Sequence, residues 1–300
     1  MPAPPLDRAG HAPRPRRPHE RTGIRGTGPQ RPTPPTSRGY RFTWRRVPAP
    51  TRGPAGPGSG PLVSERTGPD LTLARGEGFW DDLDTPQRAA LRQVARPRNY
   101  QPRMPLCYQG DESDHIILIE SGWAKVISST ADGHEVVLAV RGPGDLVCES
   151  AVLGGRERSA TVTALSPIRA LVVPAARFTA FLDAHPAVWL LVSGTFVRRL
   201  DDADRRLQAH VSARGARRLA LLLTQLAELS ARHCPPSPDG RVDIAPPLSQ
   251  EELGSWMDAS RETVARALNS LRRRDLVSTG WRKITVVDLP GLRAFANGQD

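Results

Sequence analysis

The sequence predicts an α+β protein in which a disordered basic tail precedes a small β-roll, a long helix and a C-terminal winged helix-turn-helix. Three observations predict it. Composition breaks sharply near residue 70, a series of short strand-like runs separated by turn formers follows, and two capped helices near the C-terminus lead into a strand-turn-strand.

The tail comes first. The 300 residues include 42 Lys or Arg against 31 Asp or Glu, a formal +11, but residues 1 to 70 hold 13 arginines against four acids and so account for +9 of it. The same stretch carries 16 of the 30 prolines and 10 of the 26 glycines. Its one aromatic island, Tyr40, Phe42 and Trp44, cannot bury enough apolar surface to offset the entropy of ordering, so residues 1–76 read as a disordered Pro/Arg/Gly-rich tail. Two roles fit it: a loose, salt-dependent contact with the DNA backbone, or a dispensable extension translated from a start codon placed too far upstream.

Several function classes fall away. No run approaches the ~18 apolar residues of a membrane span, and the amino terminus has no apolar stretch suited to a signal peptide. Cys107, Cys148 and Cys234 are odd in number and scattered, which argues against a disulfide framework, a zinc ribbon or a four-cysteine iron-sulfur cluster. The expected setting is cytoplasmic, with no membrane partner and no metal.

Residues 77–185 read as the β-roll. A helical segment from Phe79 to Val94 precedes candidate strands at His115 to Glu120, Ala124 to Ser128, Glu135 to Val140, Leu146 to Cys148, Ala160 to Leu165 and Ala170 to Val173. Their connections are too short for crossover helices, so the sheet is antiparallel. Between Cys148 and Ala160, Glu149 precedes a short turn or helix, and Arg158 with Ser159 opens the next strand. An arginine fork and a hydroxyl suit a phosphate, and a carboxylate suits a sugar hydroxyl. An internal Glu149 to Arg158 salt bridge accounts for the same residues equally well.

Pro186 starts a long helix, residues 186–211. Val192, Phe196, Leu200, Ala203 and Leu207 recur at spacings of 4, 4, 3 and 4 among mixed charges. That stripe suits a homodimer seam, the alternative being a helix laid along its own domain.

Residues 212–290 read as the winged helix-turn-helix, with 291–300 as a C-terminal tail. Leu219, Leu222, Leu223 and Leu226 mark a core helix from about Gly215 to Leu229, and Gly240 to Ile244 suits a short strand. Ser249-Gln250-Glu251-Glu252 is a capping box, Asp258-Ala259 the turn, and Ser260 the cap of a helix running from Arg261 to about Arg274. Val264, Ala267, Leu268 and Leu271 point one way, while Glu262, Arg266, Asn269 and Arg273 fall within about 60° of each other on the opposite face. Arg266 can reach guanine O6 and N7, Glu262 can accept from cytosine N4, and Arg261 can take a base edge or a phosphate. Residues Leu276 to Val286 form a wing around Gly280, with Arg282 and Lys283 near its tip.

This order of elements resembles the Crp/Fnr family of bacterial transcription regulators over roughly residues 77 to 290. Ser260-Arg261-Glu262-Thr263-Val264-Ala265-Arg266 looks like the family's recognition helix, and Gly144-Asp145-Leu146 through Arg158-Ser159-Ala160 is similar to its cyclic-nucleotide phosphate-binding cassette. The resemblance implies that Arg261, Glu262 and Arg266 read a palindromic operator in double-stranded DNA, and the cap, the helix face and the wing place Ser260, Thr263, Asn269, Arg273, Arg282 and Lys283 as further candidate DNA contacts. It further implies that Glu149 meets a ribose, and Arg158 and Ser159 a cyclic phosphate. Two departures matter. Cys148 stands where cAMP-binding members usually have glycine, and Ala203-Asp204 stands where they place a Thr-Ser pair against adenine.

The resulting expectation is a homodimeric, sequence-specific DNA-binding regulator, partly constitutive or controlled by a cyclic nucleotide or another small effector, and contacting RNA polymerase if it activates. A rival is a cyclic-nucleotide-responsive signalling module whose winged helix serves protein contacts. No catalytic role is expected, since no nucleophile, base and orienting residue form a recognisable set.

Overall fold

The computed structural model describes residues 78–130 and 132–299, and the expected tail lies outside them. The single segment expected from Phe79 to Val94 is two helices, α1 (Phe79–Asp82) and α2 (Thr85–Val94). Leu83 is extended between them, and Asp84 and Gln87 form a capping box that starts α2 afresh.

Strands β1 (Arg96–Tyr100), β2 (Pro105–Cys107), β3 (His115–Ser121), β4 (Ala124–Ser129), β5 (Glu135–Arg141) and β6 (Leu146–Val147) lead to α3 (Glu149–Gly154). With β7 (Thr161–Ala164) and β8 (Ile168–Pro174) they make two four-stranded antiparallel sheets, ordered β1-β8-β3-β6 and β2-β7-β4-β5. β1 and β2 have no counterpart in the sequence reading. Arg96-Pro97-Arg98-Asn99-Tyr100 buries only its tyrosine and so carries no alternation.

β3 is apolar without alternation because both its faces are covered. Ile117 and Ile119 enter the roll with Leu106, Val147, Val162 and Ile168, whereas Ile116 and Leu118 turn outward to Phe79, Leu91, Phe178 and Leu182. Those outer partners come from α1, α2 and α4 (Ala175–Ala184), joined by Val188 and Val192 of α5 (Pro186–Ser212).

The C-terminal part comprises α6 (Gly215–Ala231), β9 (Val242–Asp243), α7 (Gln250–Met257), α8 (Arg261–Arg272), β10 (Val277–Gly280), β11 (Lys283–Val286) and α9 (Leu289–Asn297). The last element corrects the expected tail at residues 291–300. The Asp288 side chain accepts from Gly291 N at 2.9 Å to cap α9, whose Leu292, Phe295 and Ala296 are buried in the same core as α6 and α8.

This core extends into the roll, because Trp123, Val140 and Leu165 pack within it and Trp123 meets His233 edge-on at 5.3 Å. A Cβ at Gly142 would lie 2.4 Å from the Trp123 ring, so the closeness of β5 to the indole requires glycine there. Polar contacts close the junction. Lys125 Nζ is 2.7 Å from Glu252 Oε1, and Ser255 Oγ donates to Glu135 O at 2.7 Å. Among the described residues no single helix is long and apolar enough to cross a membrane.

Candidate nucleic-acid interface and effector site

α7 begins as expected. Ser249 Oγ accepts from Glu252 N at 3.1 Å, and Glu252 Oε2 accepts from Ser249 N at 2.8 Å. Asp258 ends the helix in the left-handed conformation, at φ 51°, which short polar side chains tolerate. A Cβ on Gly254 would lie 2.5 Å from Ala259 O, so the turn can fold tightly onto the helix only over glycine. Ser260 Oγ then accepts from Thr263 N at 3.2 Å and starts α8.

α8 divides as its periodicity demands. Val264, Ala267, Leu268 and Leu271 are buried, while Arg261, Glu262, Arg266, Asn269 and Arg273 are exposed. Thr263 is half-buried and accepts from Arg266 Nη2 at 3.4 Å. Arg261 is 3.8 Å from Glu251, and Asn269 accepts from Arg272 at 3.3 Å, contacts that leave this face exposed.

The wing differs in detail from expectation. Lys283 is bound back onto β9, with Nζ 2.9 Å from Asp243 Oδ2, and this contact, with a hydrogen bond from Thr285, holds the Asp243 carboxyl below its ordinary range. Arg282 has φ 50° and donates to Pro247 O at 3.1 Å. The turn at the tip is Trp281-Arg282, between β10 and β11, and Trp281 there is 91% exposed. An aromatic beside Gly280 in a turn was the only signal for it in the sequence.

The structure brings Cys148, Glu149 and Arg158 together, and closes them on the protein's own groups. Glu149 is buried and pairs with Arg199 of α5, not with Arg158, which corrects the internal bridge considered above. Arg199 Nη2 also donates to Leu146 O at 2.5 Å. The buried Arg158 guanidinium donates to Cys148 O at 3.0 Å and His115 O at 2.6 Å, and among the described residues Arg158 Nε and Glu149 Oε2 have no hydrogen-bond partner. Cys148 has φ 74°, a conformation natural to glycine. Ser159 is exposed.

Asp204 stands apart from this cluster. It is exposed on α5, five residues and therefore about 140° round the helix from Arg199. Arg141, beside Arg199 and Arg206, has its pKa lowered to about 10, chiefly by burial and then by those two like charges.

The expected seam also divides. Val192 is fully buried in the roll's outer core and Phe196 is half-buried against it, so those two serve their own domain. Ala203, Leu200 and Leu207 are exposed, and Leu190, Val197 and Val211 join them. The order Leu190, Val197, Leu200, Leu207, Val211 is a heptad stripe, and Asp204 occupies the position seven residues after Val197. The sequence reading missed it because a spacing of 4, 4, 3, 4 starting at Val192 fits a helix equally well, and only burial separates the two faces.

Comparison with known proteins agrees with this geometry. The cyclic nucleotide-binding domain family matches residues 97–185, and the Crp-like helix-turn-helix domain family matches residues 217–295. A CRP-like cAMP-activated global transcriptional regulator of Mycobacterium tuberculosis is 24% identical over 219 residues, 73% of this chain and 96% of its own length. The cyclic AMP receptor protein of Thermus thermophilus is 28% identical over 203 residues, 67% of this chain and 88% of its own. The c-di-GMP responsive regulator CLP of Xanthomonas campestris shares the fold with a TM-score of 0.58 at 19% identity, covering 68% of this chain and 100% of the other.

Proposed function

The chain belongs to the Crp/Fnr family of DNA-binding transcription regulators, and we propose that it acts as a homodimer that places two copies of α8 in successive major grooves of a palindromic operator. The observation that carries this is the exposed face of α8, where Arg261, Glu262, Arg266, Asn269 and Arg273 stand opposite a buried Val264, Ala267, Leu268 and Leu271. Ser260 and Thr263 at the N-terminus, with Arg282 of the wing, fix the helix against phosphates. The exposed stripe from Leu190 to Val211 supports a parallel two-helix seam, which sets the two recognition helices about 34 Å apart. Operator position then decides whether bound protein recruits or blocks RNA polymerase.

Selection of sites from random DNA tests the reading. Arg266→Ala should weaken binding to the selected site by about 1 to 3 kcal/mol per half-site while changing random-sequence binding much less. Equal losses on both would make Arg266 a phosphate contact.

An effector acting through the roll is part of the proposal, and the family's named ligand, cAMP, binds weakly or not at all in this reading. A cyclic phosphate would have to displace two backbone carbonyls from Arg158, a ribose would have to compete with Arg199 for Glu149, and Cys148 carries a side chain where cAMP-binding members usually have glycine. Titration calorimetry decides: a saturable micromolar cAMP isotherm, lost in Arg158→Ala, would overturn this part. The reading includes no catalysed reaction, and turnover in a screen of cyclic nucleotides would contradict it.

A further inference from the structure

Cys107 and Cys148, distant in sequence, are neighbours in the fold. β2 runs beside the corner where β6 gives way to α3, and the two Sγ atoms stand 3.1 Å apart, only about 1 Å more than a disulfide bond. Cys107 is buried, Cys148 is partly so, and Cys234 is exposed. Among the described residues no cluster of three or more His, Cys, Asp or Glu gathers around them, so the pair is not part of a metal site.

The two sulfurs are not equivalent. The hydrogen bond shared with Cys148 holds the Cys107 thiol below its ordinary range, with the Arg158 charge adding to the effect against the opposing influence of burial. The same hydrogen bond, together with burial, pushes the Cys148 thiol up. Cys107 is therefore the more readily ionised of the two sulfurs, and Cys148 the one that holds its proton more tightly. Beside them Arg158 Nε is a buried donor with no hydrogen-bond partner among the described residues, available to a small polar oxidant.

We propose that Cys107 and Cys148 form a redox-active dithiol that a hydroperoxide converts to an intramolecular disulfide, and that this disulfide alters DNA affinity through Glu149 and Arg199. The Cys107 thiolate attacks one peroxide oxygen, so an S–O bond forms, the O–O bond breaks, and the departing oxygen leaves as water after taking a proton from solvent. Cys148 then attacks Cys107 Sγ. The S–S bond forms, the S–O bond breaks, and the hydroxide leaves as water with the Cys148 proton. Two thiols and one hydrogen peroxide thus give one disulfide and two waters, with two electrons passing from sulfur to oxygen.

The position of Cys148 gives the reaction a consequence. Its carbonyl holds Arg158, it is the residue before α3, and its neighbour Glu149 is paired with Arg199 on α5. Drawing Cys148 toward β2 shifts the start of α3 and with it the roll's ionic hold on the long helix. The DNA part rests on the function proposed above; the thiol chemistry does not.

The test uses full-length protein carrying Cys234→Ser, reduced and then titrated with hydrogen peroxide. The expected result is paired loss of both thiols, a cross-linked Cys107–Cys148 peptide on mass mapping, and full recovery with dithiothreitol. Cys107→Ser and Cys148→Ser, checked for folding by circular dichroism, should form no intramolecular bond. Affinity for a DNA site selected by the reduced protein should shift at least ~5-fold on oxidation, and not in Cys107→Ser. Unchanged thiols, single-site over-oxidation or only intermolecular links would overturn the dithiol, and a mapped disulfide with unchanged affinity would overturn its coupling to DNA. Failure to select any DNA site would count against the proposed function, while the thiol count still decides the dithiol.

Discussion

Replacing Lys125 with alanine tests whether the winged helix is held on the roll by charge as well as by packing. Lys125 Nζ and Glu252 Oε1 are 2.7 Å apart, with side chains 19% and 18% exposed. A fully exposed pair contributes ~0–1 kcal/mol, and breaking a buried one costs ~3–5 kcal/mol, so this intermediate pair should cost about 2 kcal/mol. For a folded part of this size that lowers the melting midpoint by roughly 4–8 °C. The pH dependence has a definite sign. Burial alone would raise the Glu252 carboxyl, but Lys125 and the Ser249 cap outweigh it and hold the pKa below the ordinary 4.5. A carboxyl depressed by folding contributes its stability in full above 4.5 and loses it as pH falls through the folded value, so the deficit of Lys125→Ala should shrink on acidification. Some pH dependence survives in the variant, because Ser249 still bonds the carboxylate. Thermal unfolding of Lys125→Ala, Glu252→Gln and the double variant, at neutral and acidic pH, measures the coupling directly. Additive single losses, or a deficit that persists undiminished well below 4.5, would refute the argument.

Two further outcomes follow from burial. Leu200→Asp with Leu207→Asp should give monomers in sedimentation velocity while leaving the unfolding midpoint of the chain largely intact, since both side chains are exposed in one protomer; an unchanged dimer would place the seam elsewhere. Asp82 has both carboxylate oxygens buried without a hydrogen bond among the described residues and Arg198 at 3.8 Å, and burial first, with Asp81, raises its pKa above 3.8 despite that arginine. Ionising it costs stability as pH rises through the folded value, so Asp82→Asn should raise the midpoint at neutral pH and leave it unchanged in strong acid; a lower midpoint at neutral pH would contradict this.

Local rules made much of the molecule legible. The Ser249 and Ser260 caps, the αL turn at Asp258 and the 3.6-residue period of α8 are each written within a few residues, and they appear where the sequence places them. What escaped reading depends on contacts distant in sequence. β1 is recognisable only by its pairing with β8, α9 only by the surface of α6 that it covers, and Val192 is apolar whether it meets a second helix or its own roll. The candidate effector residues show the same limit. Glu149 and Arg158 announce a polar cluster, but the sequence offers Arg158 as the partner for Glu149 when Arg199, 50 residues away, takes that place.

α5 adds a connection between the roll and the C-terminal helices to the direct contacts of Lys125 with Glu252 and of Ser255 with Glu135. One end of its polar face holds Glu149 through Arg199, and further along Arg206 donates to Leu138 O in β5, the strand whose Glu135 and Val137 backbone groups bond Ser255 of α7. The opposite face carries the exposed heptad stripe. A ligand or an oxidant at the cassette can shift the equilibrium only by a difference in free energy between two arrangements of these contacts, and a coupling of ~1–3 kcal/mol already changes DNA affinity ~5- to 150-fold. That is the scale of one charge-assisted hydrogen bond to a buried group, ~1.5–3 kcal/mol. In the function proposed above, making the single Glu149–Arg199 contact in one arrangement and not in the other matches a coupling of that scale.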